Sequence, residues 1–291
     1  MDPKILKKLE SITNIATIPG NALQIIQLIN NPDASLKEIS QLIERDMPLM
    51  TKILKIANSP FIGFAGEVAT IQRALTILGL NQVKNIILAI ALYSAFINYE
   101  NSKYFDREKF WSHSFGTGQI ARRLASKMGI VFQGEEFVAG TIHDIGKIIL
   151  DQYFPEEFSQ ILELSKNENK PLLASEINVL GSSHCELGAW LLEKWKFPSS
   201  LISVVRYHHT PEKTSEAHTL VSIIQISEVL CELWGIGFDG DVMSCVIEDL
   251  SGWQIIKEQH PEVNEMDLEV MTLELYKEIE TAKEFLEIAK S

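Results

Sequence analysis

Apolar residues recur at i, i+3, i+4 and i+7 in segment after segment, and no run sustains the period-two alternation of a strand. The pattern predicts an all-α protein with less than about a tenth of its residues in strands. Between Ala22 and Ile29 the residues Leu23, Ile25, Ile26, Leu28 and Ile29 make a broad apolar face, and the turn chemistry of Asn30-Asn31-Pro32-Asp33 ends that helix. Ser35 suits the next N-cap, with Glu38 three residues on completing a capping box. A third helix opens near Pro48 and runs to Asn58, and a loop with two glycines and two aromatics follows to Gly66. Thr70 to Leu78 reads as a short helix ended by Gly79, after which Asn81 is expected to cap an apolar helix from Val83 to Ile97.

Periodicity lapses from Asn98 to Asp106 and resumes at Phe110, which marks that stretch as a boundary and hinge candidate. Beyond it the pattern predicts a long helix from Glu108 to Met128, another from Glu135 to Leu150, shorter ones to Tyr207, and a further one from Ala217 to Leu233. From Met266 to Ala289 one amphipathic helix is expected, suited to closing the fold or to facing a partner. The implied division is an N-terminal helical subdomain over residues 1–100, a helical bundle over 101–235 and a C-terminal helical extension over 236–291. No internal repeat is visible.

Composition narrows the function more than the fold. The chain has 291 residues, enough for a sizeable core, and its formal net charge of −13 argues against nucleic acid as a target, because phosphate contacts need clustered Lys and Arg. Cys185, Cys231 and Cys245 form no CxxC pair and read as buried or idle thiols in a reducing compartment. No apolar run follows the lysines of Met1 to Glu10, so no signal peptide is expected. The longest apolar stretch, Ile86 to Ile97, falls short of the roughly 20 residues a bilayer span needs. These features point to a cytoplasmic protein with no membrane association.

Chemistry enters with the histidines. His143-Asp144 opens HDIGK, expected on a helix with the two side chains about 100° apart. His113 lies in FWSHS on the preceding helix, His184 in HCELG, and His208-His209 end a helix in RYHHTP. Each sits in an otherwise apolar segment, where an unsatisfied imidazole costs roughly 1 to 3 kcal/mol. Shared coordination of a divalent ion (Fe, Mn, Zn or Ni, one or two per chain) is the economical explanation. His218 and His260 lie outside these segments and read as structural.

FWSHS, AGTIHDIGKIIL, the run from Glu176 to Pro198 and YHHTP together resemble the HD superfamily of metal phosphohydrolases. Upstream, the segment from Ile18 to Phe64 resembles the signature of the HDOD branch, so the likeness covers about residues 15 to 235. It implies an N-terminal helical subdomain packed on an HD-like bundle. It also implies His113 as the first superfamily ligand, His143 and Asp144 as the HD pair, and His184, His208 and His209 as the added ligands of two-metal members. By the same likeness Lys147 stands beside the phosphate, and Glu228 of IIQISEVL falls where an Asp ligand is usual. His209 is followed by Thr210-Pro211-Glu212-Lys213 rather than the GYP motif of the cyclic-dinucleotide phosphodiesterases, so that activity is not supported.

Two functions follow from the resemblance. One is an output module of bacterial-type signalling that acts through a protein partner or a nucleotide ligand. The other is a metal-dependent phosphohydrolase in which Asp144 bridges the metals and orients the nucleophile while Lys147 neutralises the phosphate. With no receiver, kinase or helix-turn-helix segment in this sequence, the signal is expected through another chain or a small ligand; the sequence sets no oligomeric state. Asp46, Lys55, Asn58 and Ser59 beside Phe61 and Phe64 suggest a groove between lobes. The simpler expectation is that Asp46 and Asn58 cap and close, with both rings buried.

Overall fold

The computed structural model describes residues 1–12, 15–97, 105–237 and 245–291, and no strand occurs among them. The chain opens with α1 (Pro3–Glu10), α2 (Gly20–Ile29), α3 (Leu36–Glu44), α4 (Met47–Ala57), α5 (Ile71–Leu78) and α6 (Leu80–Phe96). The bundle follows as α7 (Arg107–Lys127), α8 (Glu135–Ile142), α9 (Ile145–Tyr153), α10 (Pro155–Glu168) and α11 (Leu172–Leu180). It continues through α12 (His184–Lys194), α13 (Ser199–Tyr207) and α14 (His218–Leu233). The chain closes with α15 (Ser251–Gln259), α16 (Leu268–Tyr276) and α17 (Ile279–Lys290).

Local chemistry accounts for the boundaries. Ser35 and Glu38 form the expected capping box at α3, and Asp46 accepts from the Leu49 N–H at 3.0 Å to start α4. Asn58 closes the loop behind α4: its Nδ2 donates to the Leu54 and Val68 carbonyls, and its Oδ1 accepts from the Val68 N–H at 2.8 Å. Phe61 is fully buried beneath that loop, whereas Phe64 is 40% exposed, so only one of the two expected rings is covered. Asn81 lies inside the first turn of α6 and bonds Gln133. Gly79, at φ 79°, makes the sharp bend between α5 and α6 instead.

Two expected long helices are each divided. The run from Glu135 to Leu150 breaks at His143-Asp144, where Asp144 takes φ −98° and ψ 10° and becomes the N-cap position of α9. The tail from Met266 breaks between Tyr276 and Ile279 into α16 and α17. Hydrophobic spacing runs through both breaks, which is why periodicity alone joins them. The stretch read as a boundary, Asn98 to Asp106, lies mostly outside the described residues.

α7 is the central element. It is buried along nearly its whole length and packs on α8, α14 and α17. α17 also packs on α4, so the C-terminal helix ties the first helices to the bundle. Phe285 of α17 sits among Phe61, Phe115 and Phe137, with ring centroids 4.9 to 5.0 Å away, and Lys52 of α4 donates to the Ala289 carbonyl at 2.6 Å. On the other side, Arg107 at the start of α7 donates to Asp151 of α9 at 2.6 Å and to the Phe96 carbonyl at 3.1 Å, all buried. No single described helix is long and apolar enough to cross a membrane.

Candidate metal centre

Two glycine contacts bring the site together. A Cβ on Gly140 would collide with the Gly118 backbone, so α7 and α8 cross at a distance that only paired glycines permit. That crossing aligns His113, about one and a half turns before Gly118, with His143, just beyond Gly140. Their rings lie 5.2 Å apart and their Nε2 atoms 3.3 Å apart. A Cβ on Gly146 would likewise run into the His184 carbonyl, so the glycine of HDIGK lets α9 pass against the start of α12. His184 is fixed there by the Ser183–Glu186 capping box.

All seven residues expected as ligands are brought together. His143 Nε2 stands 3.4 Å from Asp144 Oδ2, while His184 Nε2 and His208 Nε2 stand 3.3 and 3.7 Å from Asp144 Oδ1. His184 Nε2 lies 3.3 Å from His208 Nε2 and 3.2 Å from His209 Nε2. Glu228 on α14 reaches in between: its Oε1 is 3.7 Å from His209 Nδ1, 3.9 Å from His143 Nε2 and 4.0 Å from His208 Nε2. Asp144 lies between the two sets of imidazoles: its Oδ2 faces His113 and His143, and its Oδ1 faces His184 and His208. Lys147 is buried and donates to Asp144 Oδ2 at 2.8 Å. His218 and His260 lie elsewhere; His260 pairs with Glu262.

The outward nitrogens of four rings are engaged by groups behind them. His113 Nδ1 meets the Ile236 carbonyl at 2.7 Å, His143 Nδ1 the Gly140 carbonyl at 2.7 Å, and His208 Nδ1 the Val205 carbonyl at 3.0 Å. His184 Nδ1 meets the Glu176 carboxylate at 2.8 Å. Carbonyl acceptors place the proton on Nδ1 and leave the Nε2 lone pair facing the centre, which is how metal-binding histidines are held. Asp144 Oδ1, though buried, accepts no hydrogen bond among the described residues.

Electrostatics follow from burial and this crowding. Burial, together with the neighbouring His143, pushes His113 down to about 4. Burial and the adjacent His209 and His143 hold His208 well below the usual range. Burial opposes ionisation of Asp144, but the Lys147 ammonium and the His143 imidazole outweigh it and keep its carboxyl well below the ordinary value. His184 runs the other way: burial disfavours its charge, yet Cys185 and Glu176 raise it well above 6.5. Two neutral imidazoles, His113 and His208, thus present lone pairs to a buried carboxylate.

Three participants escape sequence reasoning. Glu176 begins the run to Pro198 that contains HCELG, but a Glu eight residues before a His carries no helical-face signal across a turn. The Ile236 carbonyl is presented by the turn after α14, with Gly235 at φ 71°, and a backbone acceptor has no side-chain signature. Cys185, expected to be idle, has its Sγ 3.4 Å from His184 Nε2 and 3.9 Å from His208 Nε2. Its adjacency to His184 was the only available signal.

An all-helical body whose helices converge buried imidazoles and carboxylates on one point belongs to the class of helical proteins with a candidate metal centre. The HDOD domain model matches residues 15–211, and the chain belongs to the HDOD family. An HDOD domain protein of unknown function from Geobacter sulfurreducens shares the fold with a TM-score of 0.77 at 23% identity, covering 98% of this chain and 94% of that one. A candidate phosphohydrolase from Shewanella amazonensis superposes with a TM-score of 0.72 at 22% identity, covering 97% and 98%. An uncharacterized protein of Treponema pallidum is 26% identical over 222 residues, 76% of this chain and 42% of its own length. The chain therefore spans less than half the length of that relative.

Proposed function

We propose that this protein is a metal-binding HDOD signal-transduction module, cytoplasmic, that acts through a protein partner or a nucleotide ligand. The observation that carries the metal-binding part is the meeting of His113 and His143. Each Nδ1 faces a carbonyl, and the two Nε2 atoms stand 3.3 Å apart. Two lone pairs at that distance repel unless a cation lies between them. Asp144 Oδ1, buried and accepting no hydrogen bond among the described residues, fits the same demand. One ion would be held by His113, His143 and Asp144 and a second by His184, His208 and His209, with Glu228 beside both sets of imidazoles. Such ions supply fixed positive charge in a dry site.

Signalling is favoured over catalysis by burial. His113, His143, Asp144, His184, His208 and Glu228 are at most 3% exposed, and the His209 side chain, at 24%, is the most exposed of the seven, so the described residues leave a phosphate ester little access. The phosphohydrolase reading draws support from Lys147, whose ammonium stands on Asp144 where it would offset the charge of a bound phosphate. The two readings part on turnover. Protein loaded with Fe or Mn is expected to leave phosphomonoesters, nucleotides and cyclic dinucleotides intact. Hydrolysis abolished by Asp144→Asn would establish the enzyme instead.

A further inference from the structure

Cys185 lies inside the second cluster rather than in the apolar core, and this inference rests on the metal-centre reading above. Its side chain is buried at the first turn of α12, with Sγ directed at the imidazoles of His184 and His208. Ligand atoms of His184, Cys185, His208 and His209 all lie within 4.8 Å of one another. A tetrahedral zinc ion with Zn–N near 2.0 to 2.1 Å and Zn–S near 2.3 Å sets N···N edges of about 3.3 Å and N···S edges of about 3.6 Å. Here the N···N separations are 3.3 Å for His184–His208 and 3.2 Å for His184–His209, and the N···S separations are 3.4 and 3.9 Å. Four of the six edges of a coordination tetrahedron thus already stand near their bonded lengths, and the other two are within 4.8 Å. The first cluster, His113, His143 and Asp144, contains no sulfur.

We infer that Cys185 is a thiolate ligand of the second metal subsite, which then binds a soft ion of the zinc class through one thiolate and three imidazoles, beside a harder imidazole–carboxylate subsite. Thiolate selects zinc-like ions, whereas imidazole with carboxylate also accommodates iron and manganese. Coordination exchanges the S–H bond for a sulfur–metal bond and releases that one proton to solvent. No electron moves, so no oxidant is required. Glu176, on the far side of His184, holds that ring in place as a neighbouring carboxylate does for metal-bound histidines.

Cobalt(II) reports the sulfur directly. Apo protein titrated with Co(II) is expected to develop a near-ultraviolet sulfur-to-cobalt charge-transfer band with tetrahedral ligand-field absorption, and zinc is expected to bleach both. In Cys185→Ser the band is expected to vanish while the variant still binds Mn(II), and its zinc affinity to fall at least about tenfold. Cys185→Ala, with folding checked by circular dichroism, repeats the test without a hydroxyl. Stoichiometric cobalt without the charge-transfer band, or an unchanged zinc affinity in both variants, overturns the thiolate assignment and leaves the metal centre standing. Failure of the wild-type protein to bind cobalt, zinc or manganese overturns both.

Discussion

At the residue scale the centre is governed by which groups refuse a proton. His113 protonates near 6.5 in an unfolded chain but only near about 4 in the fold, because burial and His143 disfavour its charge. Between those values the unfolded state takes up a proton that the folded state rejects, so its contribution to stability falls as pH drops through that window, by roughly 3 kcal/mol in all. His184, raised by Cys185 and Glu176, contributes oppositely: its stabilisation is present below 6.5 and lost as pH rises past its folded value. The His113 share is isolated by comparing urea midpoints of metal-free wild type and His113→Gln from about pH 7.5 to 4.5; the wild type is expected to fall more steeply. Glu176→Gln keeps the shape but removes the carboxylate behind His184, and is expected to weaken metal binding about 10- to 100-fold by calorimetric titration. The histidines themselves were legible in the sequence because each interrupts an apolar helical segment. Glu176, Cys185 and the Ile236 carbonyl were not, since their roles come from approach in space.

At the element scale the centre depends on where helices break and how closely they cross. Helical period identified most elements, and capping chemistry at Ser35 and Asp46 set their starts correctly. The break at His143-Asp144 was illegible, because the apolar spacing of Val138, Ile142, Ile145 and Ile149 continues through it while the backbone turns to aim both side chains inward. The Gly118–Gly140 crossing makes a sharp prediction. Gly140→Ala forces α7 and α8 apart, and is expected to cost about 1 to 3 kcal/mol in chemical denaturation and to lower metal occupancy by separating His113 from His143. The Arg107–Asp151 contact is a second element-level tie. Arg107→Met leaves a buried carboxylate without its guanidinium, and a loss of about 3 to 5 kcal/mol is expected in the same assay.

At the scale of the whole molecule, the C-terminal helix joins α4 to the bundle through Phe285, and the aromatic contacts with Phe61, Phe115 and Phe137 make that joint part of one core. The acid excess, with a formal net charge of −13, predicts no salt-sensitive association with DNA or RNA at physiological ionic strength. The measurement that bears most directly on the metal centre is the metal content of purified protein reconstituted with Fe and Mn, taken beside the His143→Ala, Asp144→Ala double variant. One to two ions per wild-type chain are expected, with a melting temperature raised by the metal, and both effects lost in the variant. Wild-type protein that remains metal-free after reconstitution, or a variant that keeps its full metal complement, would contradict the centre described here.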